Sequence, residues 1–460
     1  MDPALLSAEG LLDAYARQTL SPVEALQAIT ERIARHNPTI NAFAVLNPRA
    51  LHEAGESEQR WRAGRPRGAL DGVPCTVKDL IDLAGFPTRR GSRTTSPEPV
   101  GVDAPAVLGL KQAGAIILGK TTTTEFGWKS PGDCPLHGIT RNPWDVTKTP
   151  GGSSSGAAAA GAAGFGPLHL GTDAGGSIRI PAAWCGLVGL KPSFGRVPQW
   201  PLGAFGHVAA AGPLTRTVRD AALMLTVLAR ADVRDPFCLP DDAREWRDGI
   251  EDGVAGLRIS VLRRPGFDAP ADADSVAAVE AAAQILADAG AEIHDEDPGL
   301  PDMGAAFSQI WTASLAAVVA GIDPGQRAML DAGLIAAARD DVPAAALMQT
   351  EAARVQAAHA MARFHQRFDL VLCPTVPGPP PDADARLDHP ATRLLQEWAP
   401  WTFAFNLTRQ PAIAVPLGRG GTGLPRSVQL AAALYRDDLV LRGARVLERG
   451  SPAPIAELRR

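Results

Sequence analysis

The sequence contains no run of about 18 apolar residues, so we expect no transmembrane helix. Its first residues are MDPALLSAEG, and they lack the basic and apolar regions of a secretory signal peptide. The five cysteines are scattered, and no cysteine or histidine pair has the spacing of metal ligands. We therefore expect a cytoplasmic protein that holds no metal, because such cysteine usage is typical of a reducing compartment.

Neither sign of charge dominates the sequence. The net charge is −5, and acidic and basic residues are mixed along the chain. This distribution argues against nucleic acid or a membrane surface as a partner. Lysine, however, is rare, since the six lysines all lie between Lys78 and Lys191. Each lysine in this part of the chain is therefore a candidate functional residue.

The alternation of predicted helices and strands indicates an α/β fold. Residues 21–24 have the pattern of a capping box with proline at the first helical position, which predicts an amphipathic helix over 22–36. Short apolar segments at 73–77 and 115–118 predict buried strands, and residues 106–113 between them predict a helix. This β-α-β order is typical of an α/β sheet.

The composition divides the chain into parts around one predicted core. Residues 1–65 are predicted to form a helical layer, and a strand-rich core follows in 66–232. Residues 235–345 begin with a polar, proline-rich segment and continue rich in alanine, so we expect a variable, largely helical part. Strand-like segments return within 346–460. The length permits either several average domains or one large α/β unit that spans 1–460.

Two Gly-Gly-Ser segments stand 24 residues apart, at 151–153 and 175–177. Glycine before serine permits backbone dihedrals that other residues avoid, and it lets the backbone approach a ligand closely. The spacing, long enough for a helix and a strand, predicts that two serines meet at one site. The alternative is that each Gly-Gly pair forms only a tight turn.

Two other motifs match known patterns only in part. Residues 114–121 fit the phosphate-binding P-loop, but the intervening Ala-Ile-Ile-Leu favours a strand over a glycine-rich cradle. Residues 152–156 fit the G-x-S-x-G nucleophile elbow, which must follow a strand directly, whereas a loop precedes it here. The downstream histidines stand in no distinctive context, so a Ser-His-Asp triad is the weaker alternative.

Lysine is the remaining base for a serine nucleophile. A serine hydroxyl needs an adjacent base at neutral pH, and burial makes a lysine neutral by lowering its pKa. Lys78 directly follows the predicted strand 73–77, where it can lie buried at a sheet end. The neighbouring Asp79 leaves a structural salt bridge as the alternative. The turn that contains Gly175 and Ser177 can point several amides into one cavity, as an oxyanion hole requires.

At these residues the sequence resembles the amidase signature family. The resemblance rests on a long core rich in glycine and serine, on a lysine motif upstream and on short motifs elsewhere. The matching segments are Asp71–Pro74, Val77–Asp79, Gly119–Thr121, Asn142–Trp144, Gly151–Gly156, Gly171–Pro181, Cys185–Gly186, Gly189–Pro192, Gly212–Leu214, Pro374–Thr375, and Asn406–Leu407 with Pro411. The resemblance covers most of the chain. It implies a single α/β domain with one large mixed β-sheet sandwiched by helices.

The resemblance implies catalytic roles for three residues. Ser177 would be the nucleophile and Lys78 the general base. Ser153 would relay the proton between them, with the Gly152–Ser153 peptide in the cis form. The backbone amides that would bind the oxyanion belong to Ala174, Gly175, Gly176 and Ser177.

Other residues would support this site. Asp173 and Arg179 flank the second turn, and we expect them to brace it, although Arg179 could instead bind a substrate carboxylate. Ser154 and Ser155 begin a predicted helix, where serine hydroxyls cap backbone amides. Ser154 is also a candidate hydrogen-bond donor beside the site, together with Thr172.

The resemblance leaves different kinds of protein to distinguish. Glutaminase subunits of tRNA-dependent amidotransferases carry an acidic residue, which holds the glutamine ammonium, seven positions before the residue that corresponds to Asn406. That position is Ala399 in this chain. We therefore favour a stand-alone amide hydrolase over a glutaminase of that type. The complete set of Lys78, Ser153 and Ser177 also favours it over a non-enzymatic or partner-dependent member of the fold.

Aromatic residues near the expected site predict an apolar substrate pocket, although aromatic residues more often pack in a core. The candidates are Phe126, Trp128, Trp200, Trp401 and Phe405. Such a pocket favours aryl or alkyl amides, with esters and carbamates (urethanes) as further substrates, because all three classes form a tetrahedral oxyanion. We expect a small-molecule substrate, no cofactor, no nucleic acid or membrane partner, and a monomer or homodimer.

Overall fold

The computed structural model of the chain describes residues 2–241, 243–338, 341–385, 398–452, 456 and 458. The strands in chain order are β1 Phe43–Leu46, β2 Pro74–Lys78, β3 Ile116–Thr121, β4 Asp133–Cys134, β5 Gly138–Ile139, β6 Leu168–Asp173, β7 Val188–Lys191, β8 Ala210–Thr215, β9 Arg258–Val261, β10 Glu292–His294, β11 Leu370–Pro374, β12 Ala412–Arg419 and β13 Pro425–Ala432. The α-helices are α1 Ala8–Ala16, α2 Pro22–Ile40, α3 Ala50–Arg62, α4 Pro105–Gln112, α5 Ser155–Ala162, α6 Arg179–Cys185, α7 Val218–Leu228, α8 Ala273–Asp288, α9 Gly304–Ala320, α10 Ala332–Ala337, α11 Ala344–Phe364, α12 Phe403–Leu407 and α13 Asp437–Gly450.

One mixed sheet joins eleven of these strands in the order β1-β3-β2-β6-β8-β7-β12-β13-β11-β9-β10. Strands β3, β2 and β6 run parallel to one another. In the order of the sheet, β6, β8, β7 and β12 each pair antiparallel with the strand that follows, as far as β13. Strands β11, β9 and β10 are parallel again. This topology confirms the mixed α/β fold that the resemblance implied.

Both faces of the sheet are covered by helices. Along β11, Leu370 and Leu372 face a core cluster that includes α4, α7, α8 and α13, whereas Val371 and Cys373 face a cluster built from α9 to α12. Successive residues of a strand point to opposite faces, and a strand that is buried on both faces therefore needs an uninterrupted apolar run. The sequence Leu-Val-Leu-Cys meets this requirement.

Two local sequence patterns of the N-terminal half, the capping box and the P-loop-like motif, can be compared with the structure. The Ser21 side chain accepts a hydrogen bond from the Glu24 amide, and Glu24 accepts one from the Ser21 amide, so α2 begins with a capping box. Strand β3 contains the end of the P-loop-like motif, and its Lys120 is buried in an ion pair with Asp79 at 2.8 Å. This segment is therefore a strand and not a phosphate cradle, and Asp79 pairs with Lys120 rather than with Lys78.

One predicted part differs from the structure in one respect, and the largely helical part 235–345 agrees with it. The segment 1–65 is not wholly helical, because β1 pairs with β3 at the edge of the sheet. The part 235–345 contributes β9 and β10 to the opposite edge in addition to its helices. Both segments thus extend the sheet as well as cover it. In the described ranges, no helix has the length and apolar character that crossing a membrane requires.

Truncation of a core leucine is expected to destabilise the sheet. Leu430 is fully buried in β13, between Leu372 and Ile413 on the neighbouring strands. Leu430→Ala removes apolar contacts and leaves a cavity, so the free energy of unfolding should fall by about 2–5 kcal/mol. Urea denaturation followed by circular dichroism measures this change.

Leu434→Ala is the matched control, because Leu434 lies just beyond β13 and is 37% exposed. Its substitution should change the free energy of unfolding by less than about 0.5 kcal/mol. Equal destabilisation by the two substitutions would contradict the assignment of Leu430 to the core.

Candidate active site

The sheet topology brings Lys78 and the second Gly-Gly-Ser turn to the same edge. Lys78 is the last residue of β2, and β6, which ends at Asp173, lies beside it in parallel. Parallel neighbours end at the same edge of a sheet, so the chain after β6 turns directly above Lys78. Residues 174–177 form this turn, and α6 begins two residues after it.

Lys78 is fully buried among hydroxyl groups. Its Nζ donates to Ser153 Oγ at 2.7 Å, to Ser154 Oγ at 2.9 Å and to Thr172 Oγ1 at 2.9 Å. Burial lowers the pKa of Lys78 well below its ordinary value of 10.5, against the opposing attraction of Asp173. A neutral amine has two N–H bonds and one lone pair, so one of the three hydroxyls can donate to the nitrogen. The amine is thereby prepared to accept a proton.

The two serines of the Gly-Gly-Ser turns are in contact, and the contact is made by a backbone amide rather than by the two hydroxyls. The Ser153 amide donates to Ser177 Oγ at 3.1 Å. A direct hydrogen bond between the two hydroxyls is not formed among the described contacts. Ser153 Oγ therefore contacts Lys78, whereas the contact between Ser153 and Ser177 is made by the Ser153 amide.

The expectation of a cis Gly152–Ser153 peptide is wrong for this structure. That peptide is trans, and the cis peptide of the described chain is Trp200–Pro201. The trans form is favoured by about 3–4 kcal/mol at a non-proline bond, and Gly152 instead turns the chain with φ of +57°. A Cβ at this position would lie 3.2 Å from Ser177 Cα and 2.5 Å from Pro181 Cδ. Glycine therefore permits the close approach of the two turns.

The second turn offers three of the four expected amides. The Gly176 amide donates to Asp173 Oδ1 at 2.7 Å, so it is not free to bind an oxyanion, and this part of the prediction is wrong. Asp173 occupies it because a buried carboxylate needs donors, and it accepts from the Arg179 amide as well. The amides of Ala174, Gly175 and Ser177 have no acceptor within the described part of the chain.

Asp173 and Arg179 form a buried ion pair beneath this turn. Arg179 donates from Nε and Nη2 to the two carboxylate oxygens, each at 3.0 Å. Burial acts to raise the pKa of Asp173, but the charge and hydrogen bonds of Arg179 outweigh it and lower the pKa to about 2. The remaining guanidinium N–H groups donate to Thr402 O, Gln429 Oε1 and Asn406 Oδ1. Arg179 is therefore not available to a substrate carboxylate, which excludes that alternative.

The serines at the start of α5 do not cap it. Helix α5 begins at Ser155 without a side-chain cap, because Ser154 Oγ is engaged with Lys78 and donates to Thr172 O at 3.2 Å. Ser155 Oγ is buried and has no partner among the described residues. The capping interpretation is therefore wrong. Ser154 and Thr172 instead surround the lysine.

A cavity of about 440 Å³ opens beside Ser153, Thr172 and Ala174. Two predicted pocket residues, Phe126 and Trp200, lie in its wall. Its remaining wall is mostly apolar and includes residues that no local signal in the sequence singled out: Leu80, Leu202, Phe205, Ala317, Val318 and Ile322. Several of these belong to the end of α9 and the residues after it, so the part 235–345 contributes directly to the pocket.

Ser177 faces a second, much smaller cleft of about 20 Å³. Trp128 lines this cleft together with Gly175, Trp311 and Ala399. The backbone carbonyl of Trp128 accepts a hydrogen bond from Trp311 Nε1 at 3.1 Å, which ties the loop beside the site to α9. Trp128 thus lies near the nucleophile candidate but outside the wall of the large cavity.

The prediction that Trp401 and Phe405 line the pocket is wrong. Both are almost fully buried, at 2% and 1% exposure, and they pack in the core with α9 and α11 because their segment lies between the sheet and those helices. Trp401 Nε1 donates to Pro270 O at 2.9 Å. Their segment supports the site indirectly, since Thr402 Oγ1 donates to Gly175 O at 2.6 Å.

Sequence reasoning missed the supporting role of this segment. Asn406 Nδ2 donates to Asp173 O and to Asp173 Oδ1, each at 2.9 Å, so it fixes the turn from the opposite side. Asn406 belongs to one of the motifs that carry the family resemblance, and this motif was the signal that could have identified its role. Thr402 and Gln429 had no such signal, because only the tertiary structure brings them to Arg179.

Comparison with known proteins identifies the family of the chain. The Amidase family model matches residues 24–441. An acylamidase from Rhodococcus erythropolis is 35% identical over 459 residues, which cover 97% of this chain and 96% of the relative. A glutamyl-tRNA(Gln) amidotransferase subunit from Roseiflexus castenholzii is 33% identical over 457 residues, which cover 93% and 92% of the two chains.

A solved structure gives the same result. The crystal structure of a bacterial aryl acylamidase of the amidase signature family superposes with a TM-score of 0.89 at 29% identity, and the match covers 97% of this chain and 96% of that one. Sequence, fold and site geometry therefore lead to one conclusion: the chain belongs to the amidase signature family of amide hydrolases.

Proposed function

We propose that this chain is a stand-alone serine hydrolase of small aryl or alkyl amides, with esters and carbamates as further substrates. The observation that carries the proposal is the buried contact of 2.7 Å between Lys78 Nζ and Ser153 Oγ, together with the hydrogen bond from the Ser153 amide to Ser177 Oγ. A buried, neutral lysine among hydroxyls is a base with access to a serine nucleophile. We further propose a cytoplasmic monomer or homodimer.

In the proposed acylation, Ser177 Oγ attacks the carbonyl carbon of the amide. Its proton passes to Ser153 Oγ as the Ser153 proton passes to Lys78 Nζ. The new oxyanion lies against the free amides of Ala174, Gly175 and Ser177, which are donors of the kind that stabilise such a charge.

Collapse of the tetrahedral intermediate breaks the C–N bond, and the proton returns from Lys78 through Ser153 to the leaving nitrogen. Water then attacks the acyl-enzyme by the same proton route. This second attack releases the acid and restores the Ser177 hydroxyl.

The large cavity supports an apolar substrate. Apolar side chains form most of its wall, and Phe126 and Trp200 provide aromatic surfaces beside Ser153. Pockets of this size bury a small organic ligand and use a few polar groups to orient it. The relatives described as acylamidase and aryl acylamidase agree with such a substrate class.

A glutaminase subunit of an amidotransferase is the second candidate, because a relative of that kind covers the chain at 33% identity. The cleft beside Ser177 argues against it. Ala399 lies in this cleft where an acidic residue would be needed to hold the glutamine ammonium, and none of the described residues that line the cleft is acidic.

A substrate panel tests the proposal directly. The purified chain should hydrolyse acetanilide and simple aryl esters and carbamates. It should release ammonia from L-glutamine about 10- to 150-fold more slowly, since one lost charge-assisted hydrogen bond is worth roughly 1.5–3 kcal/mol. Product formation by chromatography gives kcat/KM for each substrate. Preferential turnover of glutamine would favour the amidotransferase glutaminase, and inactivity towards every substrate would favour a non-enzymatic member.

Removal of the proposed nucleophile should abolish acyl transfer. Ser177→Ala deletes the attacking oxygen, so kcat for acetanilide should fall by at least about 10³-fold, as expected for loss of a nucleophile. The matched control is Ser155→Ala, which removes a buried serine hydroxyl that has no hydrogen-bond partner among the described residues. The control should retain wild-type kcat. Near-full activity of Ser177→Ala would refute the mechanism.

The pH profile should follow the deprotonation of Lys78. Because its pKa is lowered, and because the base must be neutral, kcat/KM should rise with pH and reach its plateau well below pH 10.5. Lys78→Arg keeps a cation that cannot lose its proton at these pH values. It should lose most of the activity at every pH, measured with acetanilide between pH 5 and about pH 10. A flat profile in the wild type would contradict the role of Lys78.

A further inference from the structure

The large cavity contains one pair of charged side chains in an otherwise apolar and neutral wall. Asp82 and Arg90 are the charged members among its described lining residues. Both lie on the loop that follows β2, so the segment that carries Lys78 also carries this pair. A few polar groups in an apolar pocket usually orient the ligand, and the pair therefore needs an explanation.

The Arg90 guanidinium has unused hydrogen-bonding capacity. Its Nη2 lies 3.9 Å from Asp82 Oδ1, which is an ion-pair distance but too long for a hydrogen bond. The guanidinium makes no hydrogen bond within the described chain, and its side chain is 30% exposed. Arg179 is the contrast, because it is fully buried and its donors are all used by protein groups. A guanidinium has five N–H donors in a fixed planar geometry. The Arg90 donors are therefore available to a ligand in the cavity.

The backbone holds Arg90 in this position. Its amide donates to Asp79 O at 3.1 Å, and its carbonyl accepts from the Phe126 amide at 2.8 Å. Arg90 is thereby fixed between the residue after Lys78 and a residue of the cavity wall. Its φ of +51° is unfavourable for a residue other than glycine and persists where the surroundings enforce it.

We propose that Arg90 is a specificity-determining residue that binds a carboxylate on the part of the amide substrate that fills the large cavity. The inference rests on the proposed amide hydrolysis and names the substrate class for it. A carboxylate can accept two parallel hydrogen bonds from a guanidinium at about 2.7–2.9 Å. It would then lie closer to the charge of Arg90 than Asp82 does at 3.9 Å.

Asp82 is the counter-charge of Arg90 in this arrangement. Its carboxylate lies near the guanidinium without using the N–H donors. It also reduces the net positive charge that a bound carboxylate meets. Loss of Arg90 and loss of the Asp82 charge should therefore affect carboxylate recognition in opposite directions.

The experiment compares matched substrates that differ only in a distal group. One pair is 4-carboxyacetanilide and 4-methylacetanilide, where the distal group is on the amine side. The other pair is N-methylbenzamide with a 4-carboxylate or a 4-methyl group, where it is on the acyl side. The variants are Arg90→Met, Asp82→Asn and, as the matched control, Arg93→Met, because Arg93 is an exposed arginine of the same loop outside the cavity wall.

In at least one pair, the wild type should favour the carboxylate. Arg90→Met should lower the ratio of kcat/KM for carboxylate to that for methyl by about tenfold or more, mainly through KM, as loss of a hydrogen bond between charged groups predicts. Asp82→Asn should raise the same ratio. Arg93→Met should leave it unchanged.

The inference is overturned if Arg90→Met leaves the ratio unchanged in both pairs, or lowers kcat/KM equally for the carboxylate and methyl substrates. An equal loss would indicate a structural role, and thermal unfolding of the variant measures that contribution separately. Failure of the wild type to hydrolyse the methyl substrates would count against the proposed function itself. Hydrolysis of the methyl substrates without any dependence on Arg90 would reject only the carboxylate site.

Discussion

The buried ion pair of Asp173 and Arg179 is the interaction on which the site depends. It joins the end of β6 to the start of α6, and through Asn406 and Gln429 it reaches α12 and β13. Loss of one partner of such a pair leaves an uncompensated buried charge and costs about 3–5 kcal/mol. The pair therefore holds the turn between β6 and α6 in one conformation. Asp173 also occupies the Gly176 amide, so the amides of Ala174, Gly175 and Ser177 are the donors of this turn without an acceptor in the described chain.

The burial of Lys78 is the second constraint. An ammonium group is costly to bury, so the enclosure that removes water also favours the neutral amine. Hydroxyl groups are suitable neighbours for it, since each can donate or accept as the proton moves. Lys120 differs, because that lysine lies one strand away and makes an ion pair with Asp79 at 2.8 Å. Similar burial thus leaves the two lysines with different partners, since hydroxyl groups surround Lys78 and a carboxylate contacts Lys120.

The two cavities divide the surroundings of the site. Ser153, Thr172 and Ala174 open into the large apolar cavity, whereas Ser177 and Gly175 line the small cleft. Residues of α9 contribute to both, and the hydrogen bond from Trp311 to the Trp128 carbonyl connects this helix to the loop beside the site. The part of the chain with the least distinctive sequence therefore shapes the walls of both cavities.

Much of the fold and the site composition could be predicted from the sequence. The capping box at Ser21, the strand before Lys78 and the two Gly-Gly-Ser turns are local patterns whose physical meaning does not depend on distant residues. The spaced motifs also implied the family and with it the large mixed sheet. These features follow from backbone dihedrals, hydrogen-bond capping and apolar runs, which act over a few residues.

Only the tertiary structure decided how these elements are used. Trp401 and Phe405 were indistinguishable from pocket residues until the structure placed them in the core, and Trp200 and Phe126 lie in the cavity wall. The pairing of Asp79 with Lys120 likewise joins segments that are distant in sequence. The occupied amide of Gly176 and the free guanidinium of Arg90 follow from the folded conformation of their own loops. The local sequence determines which chemistry is available, whereas the packing of the sheet and its helices determines which groups lose water, which find a partner and which remain free for a substrate.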